Sequence, residues 1–257
     1  MSGGASDDAT SRKATSREVM LAVSQLSAWY GAARILYDLD FEIGRGEVVA
    51  LMGRNGAGKS TTIKAVMGLI GRKTGQVRFL GRDISGLRPF EIARLGLGFV
   101  PEDRRIFTDL TVLENLDVGR QPPRTFPDGR PAPVWTPERL FRLFPNLGTM
   151  PTRPGGRMSG GEQQMLTVAR TLMGNPLLVL LDEPSEGVAP VILEQMAQTI
   201  VELKTEGLSI LLSEQNIPFA RLVSDRVYVL EKGQVRWQGG MAELAANTEV
   251  QRSFLTV

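Results

Sequence analysis

The strongest chemical signal in this chain is a run of eight residues, Gly53-Arg54-Asn55-Gly56-Ala57-Gly58-Lys59-Ser60, which fits the pattern G-x-x-x-x-G-K-S. Its glycines let the backbone fold tightly enough to aim several N–H groups at one anion. The surroundings are those the pattern needs. An apolar stretch over 47–52 reads as a strand, and Ile63, Val66, Met67 and Ile70 recur at helical spacing over 60–70. A helix that begins near Lys59 adds the partial positive charge of its N-terminus. The expected ligand is a nucleoside triphosphate, ATP. Lys59 is expected to reach its β- and γ-phosphates, the Ser60 hydroxyl to bind Mg²⁺, and Thr61 to stand with the loop among the ATP-binding residues.

Two further groups of residues supply what a phosphate loop lacks. The apolar run 177–181 reads as a buried strand that ends in Asp182-Glu183. Asp182 there lies beside Mg²⁺, usually through water, and Glu183 is one residue beyond, where it can polarise an attacking water as general base. The third group, Met158-Ser159-Gly160-Gly161-Glu162-Gln163-Gln164, places a serine and two glycines at a helix start, with Ser159 near the N-cap position. One nucleotide hardly needs two phosphate-binding helix starts in one chain. The second makes sense if it meets the γ-phosphate held by another subunit.

The composition narrows the function classes. Thirty Lys and Arg face 28 Asp and Glu, a net charge of +2, so nothing argues for nucleic acid as the main ligand. There are no cysteines and no histidines, which excludes disulfides, thiol catalysis, histidine general bases and most zinc sites. No apolar run approaches the roughly 18 residues of a membrane span, so a membrane role must be peripheral. Residues 1–17, rich in Ser, Ala, Thr and Asp, read as a disordered extension and not as a secretory signal.

The elements that must carry these groups are an alternation of strands and helices. Strands are expected at 19–23, 37–43, 76–80, 98–100, 209–212 and 226–231, besides the two above. Helices are expected at 137–144, 161–173, 191–206 and 217–223, besides that after the glycine loop. This predicts an α/β fold with a mainly parallel sheet covered on both faces. Residues 119–134 hold five prolines and read as an exposed loop. No internal repeat is present, so one nucleotide site per chain is expected.

In this order and spacing the three groups resemble an ATP-binding-cassette ATPase, over roughly residues 19–257. The resemblance implies a P-loop NTPase core of that type with an antiparallel β subdomain and a helical signature subdomain at about 103–173, within a nucleotide-binding domain over 18–257. It also implies that two such domains sandwich two ATP molecules head to tail, as a hetero- or homodimer. Each site would pair the phosphate loop of one subunit with Ser159, Gly160, Gly161 and Glu162 of the other. ATP would close the dimer and hydrolysis reopen it.

Further roles follow from the same resemblance. Tyr30, in Trp29-Tyr30-Gly31, matches the aromatic residue that stacks on adenine. Glu102, in Phe99-Val100-Pro101-Glu102, stands where most members have the glutamine that touches Mg²⁺ and the membrane partner. Ala189 stands where the interface loop over 184–190 usually has Asp. Gln215 takes the place of the switch histidine; glutamine can donate to a γ-phosphate oxygen but carries no proton or positive charge, which leaves Glu183 to activate water.

Within the family, Val100-Pro101-Glu102, the run 158–164, Ser185-Glu186-Gly187-Val188-Ala189-Pro190, Glu214-Gln215-Asn216 and Leu143-Phe144-Pro145-Asn146-Leu147 are similar to the F-type ATPase subunit of branched-chain amino-acid importers. That branch pairs with a second, different ATPase on the cytoplasmic face of the inner membrane, beneath two permeases fed by a periplasmic binding protein. Urea, short-chain amide and aromatic-acid importers use similar ATPases and stay open as alternatives. A non-transport cassette ATPase acting on DNA or the ribosome is the alternative from another class. It fits less well, since about a hundred residues without sustained heptads separate the loop from Ser159 and only one cassette is present. A P-loop kinase would leave 159–164 without a role.

Overall fold

The computed structural model describes residues 18–255, so the expected disorder of 1–17 lies outside the described residues. The chain opens with a long antiparallel hairpin, β1 (Val19–Tyr30) and β2 (Ala33–Gly44), turned immediately after Tyr30. β3 (Val48–Met52) then enters a second sheet, followed by α1 (Lys59–Val66). β4 (Arg72–Phe79) and β5 (Arg82–Asp83) return to the first sheet, whose order is β2-β1-β4-β5. After α2 (Pro89–Arg94) and β6 (Leu97–Val100) comes a helical stretch with α3 (Val112–Gly119), α4 (Pro137–Leu143), α5 (Pro145–Gly148) and α6 (Gly160–Leu172). β7 (Leu178–Asp182), α7 (Pro190–Thr205), β8 (Ser209–Glu214), α8 (Ile217–Val223), β9 (Arg226–Glu231), β10 (Gln234–Gly240), α9 (Met241–Ala246) and α10 (Thr248–Val250) complete the chain.

The second sheet has the order β10-β9-β3-β8-β7-β6, parallel from β9 to β6 with β10 antiparallel at one edge. β3, β7 and β8 are buried along their whole length, as continuous apolar runs covered on both faces must be. Alternate residues serve opposite faces. Val49, Leu51, Leu180 and Leu211 join Ile63 and Val66 of α1 and the antiparallel sheet in one core. Val48, Val179, Leu181, Ile210 and Leu212 join α3, α6 and α7 in the other. This double burial fixes the sheet in depth and sets the carboxyl ends of β3, β6, β7 and β8 side by side.

Several elements differ from the reading of the sequence. β1 continues past residue 23 because Gln25 takes a left-handed φ of 51° and bulges the strand, after which the pattern resumes in shifted register. α1 ends at Val66 and not at residue 70, since Gly68 turns the chain at a φ of 71°. Beyond the expected elements lie α2, α3, α5, α9, α10, the short β5 and the half-exposed edge strand β10. The segment 119–134 is only partly an exposed loop. Phe126 and Ala132 are buried in the core, and the Arg45 guanidinium lies 3.7 Å from the Phe126 ring centroid.

Candidate active site

The site lies at the carboxyl ends of four neighbouring strands, where an open parallel sheet places ligands. β8 stands between β3 and β7, pairing Met52 with Glu214 on one side and Asp182 with Ser213 on the other. The phosphate loop leaves β3, Asp182 closes β7, Gln215 follows β8 and Glu102 follows β6 by two residues.

A cavity of about 480 Å³ is lined by Tyr30, Asn55, Gly56, Gly58, Lys59, Ser60, Thr61, Glu102, Glu183 and Glu186, among others. Nine of the residues given a site role in the sequence thus share a wall with one, Glu186, that was given none. Tyr30 is 50% exposed at the mouth, placed there by the turn between β1 and β2. Gly53 and Ala57 are buried beneath the loop, whereas Arg54 and Asn55 are exposed. Gly58 caps α1 at a φ of 107°, with Leu36 so near that a Cβ would stand 2.8 Å from its Cδ2. The backbone conformation is the stronger of the two reasons for glycine at this position, since the Leu36 methyl could shift.

Lys59 is 3% exposed, and its ammonium is held from three sides. It donates to the carbonyls of Gly53 (2.8 Å) and Arg54 (3.2 Å) and pairs with Glu183 Oε1 at 3.0 Å. The cation and the expected base are therefore in direct contact. Burial pushes Glu183 up, but hydrogen bonding with Glu186 and Lys59 and the nearby ammonium outweigh it, and the net shift is downward. Glu186 is the counterpart: its hydrogen bond with Glu183, and secondarily burial, raise its pKa to about 7. Glu183 itself, at a φ of 46°, occupies backbone space that few non-glycine residues adopt, and its N–H donates to Ser213 Oγ (3.0 Å) and Ser213 O (3.2 Å).

Asp182 is 1% exposed; Oδ1 accepts from Ser213 Oγ at 2.7 Å, while Oδ2 is buried without a hydrogen-bond partner. Burial pushes its carboxyl up, against the Ser213 and Ser60 hydroxyls. A buried carboxylate oxygen left unpaired is costly unless something positive meets it. Asp182 also borders a second recess of about 430 Å³, which it shares with Lys64 and Glu102. The donor set, all oxygen and anchored at Asp182 and Ser60, fits a hard divalent cation such as Mg²⁺. Among the described residues no three His, Cys, Asp or Glu side chains cluster closely enough to hold a metal, so water and phosphate oxygens would complete the shell.

Gln215 Nε2 reaches Glu183 Oε2 at 3.4 Å, and Gln215 is not among the lining residues named above. Ser159 caps α6: its Oγ accepts from the Glu162 N–H at 3.4 Å, and Glu162 Oε2 accepts from the Ser159 N–H at 2.7 Å. Ser159, Gly160, Gly161 and Glu162 take no part in lining the cavity of their own chain. The sequence assigns no site role to Ser213, Glu186 or Glu214. Ser213 and Glu214 act across strands, and in the chain they look like the polar end of a strand.

Comparison with known proteins identifies the family. The family model for ABC transporters matches residues 36–186. The chain is 40% identical over 236 residues to the high-affinity branched-chain amino acid transport ATP-binding protein BraG of Pseudomonas aeruginosa, covering 92% of this chain and 99% of that one. It is 33% identical over 234 residues to the probable branched-chain amino acid transport ATP-binding protein LivF of Archaeoglobus fulgidus, covering 91% and 97%. A crystal structure of a nucleotide-free ATP-binding cassette from an ABC transporter superposes with a TM-score of 0.75 at 26% identity, over 90% of this chain and 97% of that one. The fold is that of an ABC ATPase cassette, and no helix among the described residues is long and apolar enough to cross a membrane. With a family model matched over more than half its length and relatives aligned nearly end to end, the chain belongs to the ABC transporter family, as an ATP-binding and ATP-hydrolysing subunit.

Proposed function

We propose that this chain powers the uptake of branched-chain or related hydrophobic amino acids, as one ATPase of an importer on the cytoplasmic face of the inner membrane. The cargo rests on the likeness to BraG and LivF, since the site described above handles phosphate and never meets the cargo. The observation that carries the catalytic reading is the contact of Lys59 with Glu183 in the cavity of the phosphate loop. Two permeases would carry the cargo, supplied by a periplasmic binding protein. A second ABC ATPase, identical or different, would complete the dimer, and no nucleic acid is involved.

The residues divide the work as follows. Tyr30 stacks on adenine, and residues 53–61 wrap the phosphates with backbone N–H groups and the start of α1. The γ-phosphate competes with Glu183 for the Lys59 ammonium; once Lys59 turns to phosphate, Glu183 is free to take a proton from the attacking water. Mg²⁺, when bound, supplies positive charge to the β- and γ-phosphate oxygens. Ser60 and Asp182, with its unpaired Oδ2, would hold it, with Glu102 alongside. Gln215 keeps its amide at Glu183 and senses the γ-phosphate without carrying charge. Ser159, Gly160, Gly161 and Glu162, which do not line the cavity of their own chain, would complete the site of the partner subunit.

Co-expression with the neighbouring permease genes, followed by uptake of labelled leucine and labelled urea into vesicles, tests the cargo. Leucine uptake that requires ATP and an intact Lys59 is the expected result. Urea uptake without leucine uptake would move the chain to the related importers. Recovery of ribosomes or DNA without a permease would overturn the transporter reading altogether.

A further inference from the structure

Glu214 ends β8 with its side chain fully buried, and no step proposed above uses it. Its two oxygens accept three backbone N–H groups: Oε1 from Ser185 at 3.1 Å, Oε2 from Gln215 at 3.1 Å and Asn216 at 3.0 Å. Ser185 lies two residues beyond Glu183, and Gln215 is the residue whose amide reaches Glu183 Oε2. One carboxylate therefore grips both backbone segments that carry groups of the reaction. The neighbouring Ile210, Leu211 and Leu212 are buried in the apolar cores, so Glu214 sits where an apolar residue would be the cheaper choice. Burial pushes its carboxyl up, and the Ser185 hydroxyl together with the N–H donors of Asn216, Ser185 and Gln215 opposes it.

The backbone beside it needs such a grip. Glu183 holds a left-handed φ of 46°, a conformation that persists only where the surroundings over-determine it. Ser213 fixes the Glu183 N–H from one side, and Glu214 fixes the Ser185 N–H just beyond. The same Glu214 side chain folds the turn at Gln215 and Asn216 back on itself, where Asn216 starts α8.

We propose that Glu214 is the positioning residue that sets Glu183 and Gln215 at a fixed mutual distance, by tying the loop at Ser185 and the turn at Gln215–Asn216 to one buried carboxylate. The inference rests on reading Glu183 as the general base. E214Q keeps the shape but sets an amide N–H against a backbone N–H; E214D keeps the charge but is one methylene too short to span both loops. None of the hydrogen bonds of Glu214 reaches Tyr30 or the phosphate loop, so the defect belongs to turnover and not to ATP binding.

The test measures kcat and KM for ATP, with the melting temperature, in the complex of this chain with its partner ATPase and permeases. Wild type, E214Q, E214D, Q215A, E214Q/Q215A and E183Q are compared. A displaced base costs about tenfold or more in rate, so E214Q and E214D are expected to lower kcat at least about tenfold with KM within about twofold. Because Glu214 acts partly through Gln215, the loss in E214Q/Q215A is expected to fall short of the product of the single losses. Wild-type kcat with a lowered melting temperature, kcat and KM moving together, or fully multiplicative losses would each overturn the proposal. An inactive E183Q in that same set would leave the reading of the site standing. An E183Q as active as wild type would overturn that reading, and this inference with it.

Discussion

The buried contact between Lys59 and Glu183 makes the E183Q variant informative in three ways at once. The two charged groups stand 3.0 Å apart at 3% and 7% exposure. Their attraction is about 5 kcal/mol at an effective dielectric near 20, before the cost of removing both from water. Desolvation offsets most of it, leaving roughly 1–2 kcal/mol by which the pair resists the arrival of a phosphate. In E183Q that competitor is neutral, and one negative charge is removed from the wall that faces the phosphates. ATP affinity is thus expected to rise about tenfold, equivalent to about 1.4 kcal/mol. Turnover is expected to fall by roughly 10²–10⁴, the usual contribution of a positioned general base.

Stability follows with the opposite sign for the two ligation states. Without nucleotide, the buried Lys59 keeps only the carbonyls of Gly53 and Arg54 and E183Q melts below wild type. With saturating ATP the tighter binding adds stability, so the melting shift caused by ATP exceeds that of wild type. The assays are fluorescent-nucleotide titration and thermal melting of the full chain, and single-turnover hydrolysis in the assembled complex. Weaker ATP binding together with turnover within a few-fold of wild type would refute the reasoning. Glu183 would then be no more than the counterion of Lys59.

Lys59→Ala removes the principal point charge from the phosphates and is expected to weaken ATP binding about 100-fold, read by the same titration; unchanged affinity would mean that the loop does not hold phosphate. Tyr30→Ala, at a half-exposed position, is expected to weaken ATP binding about three- to tenfold with little change in melting temperature, in keeping with a lost stacking partner. Glu186, with its pKa raised to about 7, is proton-bound in the folded chain at pH values where an ordinary glutamate is ionised. The proton therefore favours the folded site below that range and is lost as pH rises through about 7, placing a further negative charge in the cavity beside Glu183. ATP affinity is expected to fall between pH 6 and 8 in wild type more steeply than in Glu186→Gln; identical slopes would sink the assignment.

What the sequence made legible and what it hid divide along a physical line. The phosphate loop, Asp182 and Glu183 could be read because each acts through its own local backbone: a strand before, a turn or helix after, with the chemistry carried by adjacent residues. β9 and α8 were read to the residue, since apolar pattern and caps agree there. Phe126 escaped because five prolines and polar neighbours mask one anchoring ring beneath Arg45. β10 escaped because an edge strand buried on neither face has no clear alternation to display. Ser213, Glu214 and Glu186 escaped for another reason. The partners of Ser213 and Glu214 lie across the sheet, 31 residues away for Ser213 and Asp182 and 29 for Glu214 and Ser185, and no local pattern encodes such a pairing; Glu186 meets Glu183 only through the turn that follows β7.

A chain without histidine must obtain its base in another way, and the Lys59–Glu183 contact suggests how binding and basicity are linked. With the Glu186 hydrogen bond and the Lys59 ammonium at its side, Glu183 is held below its ordinary value against burial and is a poor acceptor of a proton from water. On the proposed mechanism the γ-phosphate draws Lys59 away and brings its own negative charge near Glu183. Both changes raise the pKa of Glu183, in the direction that burial already favours. Proton acceptance improves as the pKa of a base approaches the working pH, so the carboxylate becomes an effective base only when the phosphate to be cleaved is in place. Gln215 can stay neutral in this scheme, since the positive charge that a histidine would bring back beside Glu183 would undo the shift. A histidine at position 215 would therefore be expected to slow turnover below pH 6.5, where it is charged, and to have less effect above it. A pH–rate profile of Gln215→His in the assembled complex decides the point, and a uniform change across pH would show that Glu183 is not tuned by the charge around it.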